Sequence, residues 1–133
     1  MTMPFIDSNV LLYLLSKEDR KAAISRVLVR EGGCISVQVL NEVANVMRKK
    51  GRCDWHEIDE LQSLLRTLLT VKSMTPESQV LGVKLSRQYG FSIYDGQIVA
   101  VALLNGGGLL YSEDMQHGLL VQKSLRIENP FQP

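Results

Sequence analysis

The sequence has few of the residues that cross-link chains or bind soft metals. It contains two cysteines, Cys34 and Cys53, and two histidines, His56 and His117. Neither cysteine lies in a C-x-x-C pair, so the sequence fits neither a disulfide framework nor a zinc knuckle. An excess of positive charge is also absent, because 15 Lys and Arg face 14 Asp and Glu. This balance excludes a protein-wide basic field, so a bound polyanion would be held by a local patch or through metal ions.

Membrane and export signals are missing as well. No uninterrupted apolar run approaches the ~18 residues that span a bilayer, and the N-terminus lacks the basic region of a signal peptide. The sequence therefore predicts a cytosolic protein without a membrane segment. A chain of 133 residues that is 45% hydrophobic is expected to form one globular domain over residues 1–133, without repeats or linkers.

Short apolar stretches alternate with helical patterns along the chain. We predict strands over residues 3–6, 34–36, 109–111 and 125–127, and helices over about 8–15, 20–30, 37–50, 55–68, 76–89 and 93–105. This alternation indicates an α/β fold in which helices cover both faces of a parallel sheet.

Three aspartates lie where strands end or helices begin. Asp7 follows the first strand, Asp95 opens an apolar helix, and Asp114 follows the strand over 109–111. Ligands of open α/β sheets bind outside the carboxyl ends of the strands, so these carboxylates are expected at one edge. Glu42 lies about one and a half turns into the helix after the second strand, just outside its apolar arc. A solvated Glu42 fits that arc too, and single aspartates before helices are often only caps.

Clustered carboxylates imply a cation. They repel one another and raise each other's pKa values, and the sequence has no basic residue adjacent to Asp7, Asp95 or Asp114. Oxygen-only ligands suit Mg²⁺ or Mn²⁺, which support hydrolysis at phosphorus in proteins. The residues thus favour metal-dependent phosphodiester hydrolysis.

Four segments carry a resemblance to a known family. FIDSNVLLY at 5–13, VLNEV at 39–43, YDGQIVA at 94–100 and LYSEDMQHG at 110–118 resemble the signature segments of PIN-domain ribonucleases, above all the VapC-type toxins. The resemblance implies a three-layer α/β/α sandwich with a central parallel sheet, Mg²⁺ or Mn²⁺ at the acidic edge, and cleavage of single-stranded or loop-region RNA. It also implies a homodimer and inhibition by a cognate antitoxin protein.

The same resemblance assigns roles to individual residues. The residues that match the catalytic, metal-binding acids are Asp7, Glu42, Asp95 and Asp114. Asn9 and Ser112 match the polar residues that orient those acids, and Glu113 could in part replace Asp114. Gly96 stands where many relatives have Ala or Ser, which is expected to cost about 0.5–1 kcal/mol of helix stability.

Three other functions compete with the nuclease. A receiver-like signalling domain also binds Mg²⁺, but it needs paired acids after the first strand and a Lys near the last. A catalytically silent RNA- or protein-binding module would share the fold, and in an unrelated α/β domain the acids would only be caps. The basic cluster of Arg48, Lys49, Lys50 and Arg52 either complements the helix dipole or meets RNA or an acidic partner.

Overall fold

The computed structural model describes residues 3–133 and contains one six-stranded sheet. Its strands are β1 (Phe5–Ile6), β2 (Cys34–Ser36), β3 (Thr70–Lys72), β4 (Leu109–Tyr111), β5 (Leu120–Val121) and β6 (Leu125–Glu128). The order across the sheet is β3-β2-β1-β4-β6-β5, and every neighbouring pair is parallel except β5 with β6. Connections that contain helices separate β1, β2, β3 and β4, as the alternating pattern predicts, whereas β4 is joined to its parallel neighbour β6 through a loop and β5.

Six α-helices in the described residues flank the sheet. They are α1 (Ser8–Leu12), α2 (Asp19–Glu31), α3 (Val37–Lys49), α4 (Trp55–Leu68), α5 (Pro76–Tyr89) and α6 (Ile93–Leu104), with a 3-10 turn at Tyr13–Leu15 after α1. The predicted α/β sandwich is therefore confirmed. Within residues 3–133 no helix is both long and apolar enough to cross a membrane.

The two strands that the sequence pattern missed lie at the edges of the sheet. β3 is only partly buried, and β5 has two residues in a hairpin with β6. Edge strands of this length carry neither a long apolar run nor clear alternation, so their sequences give little signal. The first strand is also shorter than predicted, because it begins at Phe5.

Helices α5 and α6 approach each other at two glycines. A Cβ added to Gly96 would lie 2.0 Å from Ser86 Oγ and 2.4 Å from the carbonyl oxygen of Gly82. Both distances are too short for real atoms, and the carbonyl belongs to a helix backbone that cannot move independently. The helix-propensity cost expected for Gly96 is therefore outweighed by packing. This close contact fixes the first turn of α6, which carries Asp95.

Candidate active site at the carboxyl edge of the sheet

Asp7 lies at the junction of β1 and α1, and only 2% of it is exposed. Because β1 pairs with β4, the residue after β4 is its neighbour, and Ser112 Oγ donates a hydrogen bond to Asp7 Oδ2 at 2.8 Å. The backbone N–H of Ser8 donates to Asp7 Oδ1 at 2.7 Å. Asn9 Nδ2 is 3.5 Å from Asp7 Oδ2, a weaker contact. Both residues that were expected to orient the acids, Asn9 and Ser112, therefore lie next to Asp7.

The environment of Asp7 disfavours its ionised form. Burial raises the pKa of Asp7 from its ordinary value of 3.8 to about 7, against the lowering effect of the hydrogen bonds from Ser112 and Ser8. Repulsion from Asp95 and Glu42 adds to the increase. An acid in this position is neutral or ionised near physiological pH according to what charge lies beside it.

Glu42 turns toward Asp7 rather than into solvent. It is half-buried on α3, and Ser8 Oγ donates to Glu42 Oε1 at 2.7 Å. Gln38 Nε2, one turn earlier on the helix, donates to Glu42 Oε2 at 3.2 Å. Ser8 thus connects the segments that carry Asp7 and Glu42. Sequence reasoning treated Ser8 only as part of a helix start, although its place next to Asp7 was a usable signal.

Asp95 lies in the first turn of α6, where Ser92 caps the helix. The backbone N–H of Asp95 donates to Ser92 Oγ at 3.0 Å, and the residue is half-buried. Burial raises the pKa of Asp95, and repulsion from Glu42 and Asp114 raises it further. The structure thus brings the four predicted acids into one electrostatically coupled group, in which Asp114 is the most exposed.

Glu113 faces away from this group. Tyr13 Oη donates to Glu113 Oε1 at 2.6 Å, and Lys21 Nζ lies 2.5 Å from Glu113 Oε2. Although burial raises the pKa of Glu113, these two hydrogen bonds lower it overall. Asn9 Oδ1 accepts a hydrogen bond from the backbone N–H of Glu113 at 3.2 Å. Because its carboxylate is already paired, Glu113 is a poor substitute for Asp114.

The donor chemistry of the acidic group suits a hard divalent cation. Among residues 3–133, no three His, Cys, Asp or Glu side chains are placed so that they could hold a metal ion together. Mg²⁺ in proteins, however, commonly takes one or two carboxylates and completes its shell with water and substrate phosphate. Asp7 and Asp95 supply such oxygens. A cation beside the buried Asp7 would favour its ionised form.

The PIN domain family profile matches residues 5–118, which include all four acids. This chain belongs to the PIN domain family. The match confirms the family resemblance found in the four sequence segments. No significant sequence match was found among curated proteins.

Solved structures support the PIN fold. VapC20 of Mycobacterium tuberculosis, a toxin that cleaves the sarcin-ricin loop, is 19% identical with a TM-score of 0.69 over 84% of this chain and 89% of that one. A chain of a toxin–antitoxin complex from Klebsiella pneumoniae is 17% identical with a TM-score of 0.72, and the match covers 96% of this chain and 97% of that one. VapBC2 of Rickettsia felis, bound to promoter DNA, is 18% identical with a TM-score of 0.62, and the match covers 95% of this chain and 97% of that one. Likeness at these identities establishes the fold of this PIN domain.

Proposed function

We propose that this chain is a single PIN nuclease domain, over residues 1–133, that hydrolyses RNA phosphodiester bonds as a metal-dependent endoribonuclease. The observation that carries the proposal is a buried carboxylate, Asp7, whose pKa is raised by burial and raised further by repulsion from two other carboxylates, Asp95 and Glu42. A protein gains nothing in stability from such repulsion. A bound cation would offset this repulsion between the carboxylates, and it could at the same time bind a phosphate group of the substrate.

In this proposal Asp7 and Asp95 hold Mg²⁺ or Mn²⁺, and Glu42 and Asp114 complete the acidic group. Such an ion, when bound, lowers the pKa of a water and neutralises charge on a phosphoryl group. Ser112 holds one oxygen of Asp7 through its hydroxyl.

The remaining polar residues of the site keep the acids in place. Ser8 holds Glu42 beside Asp7, since its hydroxyl donates to Glu42 Oε1. Asn9 accepts from the backbone of the loop that carries Asp114. A preorganised acidic group is what a hydrolytic site needs, because no reorganisation is then required during the reaction.

The biological role we propose is a toxin of the VapC type. Support comes from the toxins and toxin–antitoxin complexes among the similar folds. On this proposal the protein acts in the cytoplasm as a homodimer, on RNA, and a cognate antitoxin inhibits it. The second candidate is a catalytically silent RNA- or protein-binding module of the same fold. Metal separates the two candidates, because only the nuclease loses its action when metal is removed.

The deciding experiment incubates purified protein with a mixed pool of structured RNA, in Mg²⁺ or Mn²⁺ and in EDTA. We expect cleavage only with metal, and loss of cleavage in Asp7→Asn. Asp59→Asn is the matched control, because Asp59 is an exposed aspartate on α4. Cleavage that persists in EDTA or in Asp7→Asn would refute the assignment. Metal binding without any cleavage would favour the silent module.

A further inference from the structure

An open groove of about 320 Å³ is lined by Glu42 but by none of the other three acids. Three residues of α3 line it beside Glu42, and Tyr94 of α6 forms part of its wall; the α3 residues are Gln38, Asn41 and Asn45. Tyr94 immediately precedes Asp95, so both walls of the groove are continuous with the candidate active site. A substrate bound at the acids can therefore extend into this groove.

The groove presents amides where the active site presents carboxylates. Asn41 and Asn45 are exposed and lie four residues apart on α3, so their side chains point to the same side about 6 Å apart. Each asparagine side chain offers both a donor and an acceptor. Paired donors and acceptors match the edges of nucleobases, whereas a phosphate needs donors only. The chemistry of this face therefore favours bases over backbone.

Tyr94 adds an aromatic surface beside these amides. Its side chain is 65% exposed, although large aromatic residues usually bury most of their area. Exposed aromatic rings along a nucleic-acid path stack on unpaired bases, without preference for one base. Because Tyr94 does not pack against the hydrophobic core, its ring is available to stack on a base.

The far end of the same helix carries positive charge. Arg48 lies one turn beyond Asn45 on the same side of α3, and its guanidinium carbon is 4.5 Å from the ring centroid of Trp55. Trp55 is 62% exposed, and Lys49 is exposed beside Arg48. Neither cation forms an ion pair with a carboxylate within residues 3–133. They can bind backbone phosphates of an RNA that extends beyond the amide-lined part of the groove.

We propose that this groove binds the nucleotides adjacent to the scissile bond of a single-stranded RNA, with Asn41 and Asn45 contacting base edges and Tyr94 stacking on a base. The RNA must be unpaired here, since base edges and faces are accessible only outside a duplex. This inference rests on the proposed nuclease function and adds to it a determinant of sequence preference. Arg48 and Lys49 bind the backbone and contribute affinity without preference.

The test compares the double variant Asn41→Ala/Asn45→Ala with Gln79→Ala, which removes an exposed amide from α5 outside the groove. Cut sites are mapped on RNA of randomised sequence, and KM and kcat are measured on one unpaired fluorescent oligonucleotide. We expect the double variant to lose base preference around the cut and to raise KM about five- to 100-fold, with a smaller effect on kcat. Gln79→Ala should keep the wild-type cut sites.

Binding is measured separately from cleavage, so that the two proposals can fail independently. The same oligonucleotide is titrated against Asp7→Asn alone, with the double amide change, and with Tyr94→Ala or Tyr94→Phe. Tyr94→Ala should weaken binding about five- to 100-fold, while Tyr94→Phe should retain it because the ring remains. Because these side chains are exposed, circular dichroism should show unchanged folding.

Each outcome points to one conclusion. If the wild-type protein cleaves RNA, but the amide and Tyr94→Ala variants keep its affinity and its cut sites, the groove does not bind the substrate. The proposed nuclease function would then be unaffected. RNA binding that depends on the groove, without cleavage by the wild-type protein, would support the groove and overturn the proposed reaction. Absence of both binding and cleavage, or groove-dependent binding of a protein instead of RNA, would overturn the groove proposal.

Discussion

Replacing Asp7 by Asn should stabilise the protein when no metal is present. The pKa of Asp7 is about 7 in the folded chain against an ordinary value of 3.8, so folding favours its neutral form. The stability associated with that neutral form is complete below pH 3.8 and is lost as the pH rises through 7. At about 1.4 kcal/mol per pKa unit, the loss reaches roughly 4 kcal/mol at pH 8, of which roughly 2–3 kcal/mol develops between pH 5 and pH 8.

Asparagine removes the charge and can keep the two shorter contacts, at the expense of the weaker one from Asn9. Its carbonyl oxygen can accept from the backbone N–H of Ser8, and its amide can donate to the hydroxyl of Ser112, which also accepts. The variant should therefore be more stable than wild type by about 2–4 kcal/mol at pH 8 in EDTA. At pH 5 the difference should shrink, because the wild-type carboxyl is then protonated.

Urea unfolding at pH 5 and pH 8 measures this difference directly. Asp59→Asn, exposed on α4, reports any general effect of removing one negative charge. Saturating Mg²⁺ should stabilise the wild-type protein and leave Asp7→Asn almost unaffected, since the ion binds the folded carboxylate group. If Asp7→Asn is less stable than wild type at pH 8 in EDTA, burial of the charged form is not costly and the reasoning about this site is wrong.

Two further predictions concern neighbouring residues. Gly96→Ala should lower the free energy of unfolding by about 1–3 kcal/mol because its Cβ would overlap Ser86 Oγ and a backbone carbonyl. The control is Gly108→Ala, whose Cβ would meet nothing within 4 Å and should change the free energy of unfolding by less than ~0.5 kcal/mol. A stabilised Gly96→Ala in urea unfolding would contradict the close packing. Asp114→Asn should weaken Mg²⁺ binding, measured by calorimetry, at least about tenfold, because it removes one carboxylate of the acidic group that supports the ion. Glu113→Gln should not, because its carboxylate is already paired, and equal effects of the two changes would show that Glu113 shares the metal.

Local sequence patterns were sufficient to predict the central strands and the helices of this protein. The central strands β1, β2 and β4 follow from short apolar stretches, and the helices follow from apolar spacing and caps such as Asp54 and Thr75. Asp7 could be placed at the carboxyl edge because it follows a strand, whereas Ser112 was assigned to the site through the family resemblance alone.

Contacts between distant segments could not be predicted in the same way. The pairing of Lys21 with Glu113 joins residues 92 positions apart, and nothing in either local pattern requires it. The direction of Glu42 was left open by its helical position, and the hydroxyl of Ser8 decides it. Gly96 was judged by helix propensity alone, whereas the helix that crosses it determines the cost.

The position of β4 in the sheet affects the chain while it is being translated. β4 is encoded in the last quarter of the sequence, yet it pairs with β1 near the middle of the sheet and leads directly to Ser112. A chain released by premature termination before residue 109 would leave β1 with an unpaired edge and Asp7 without its hydroxyl partner. Translation products that stop before β4 therefore lack Ser112 and Asp114 and cannot assemble the acidic site.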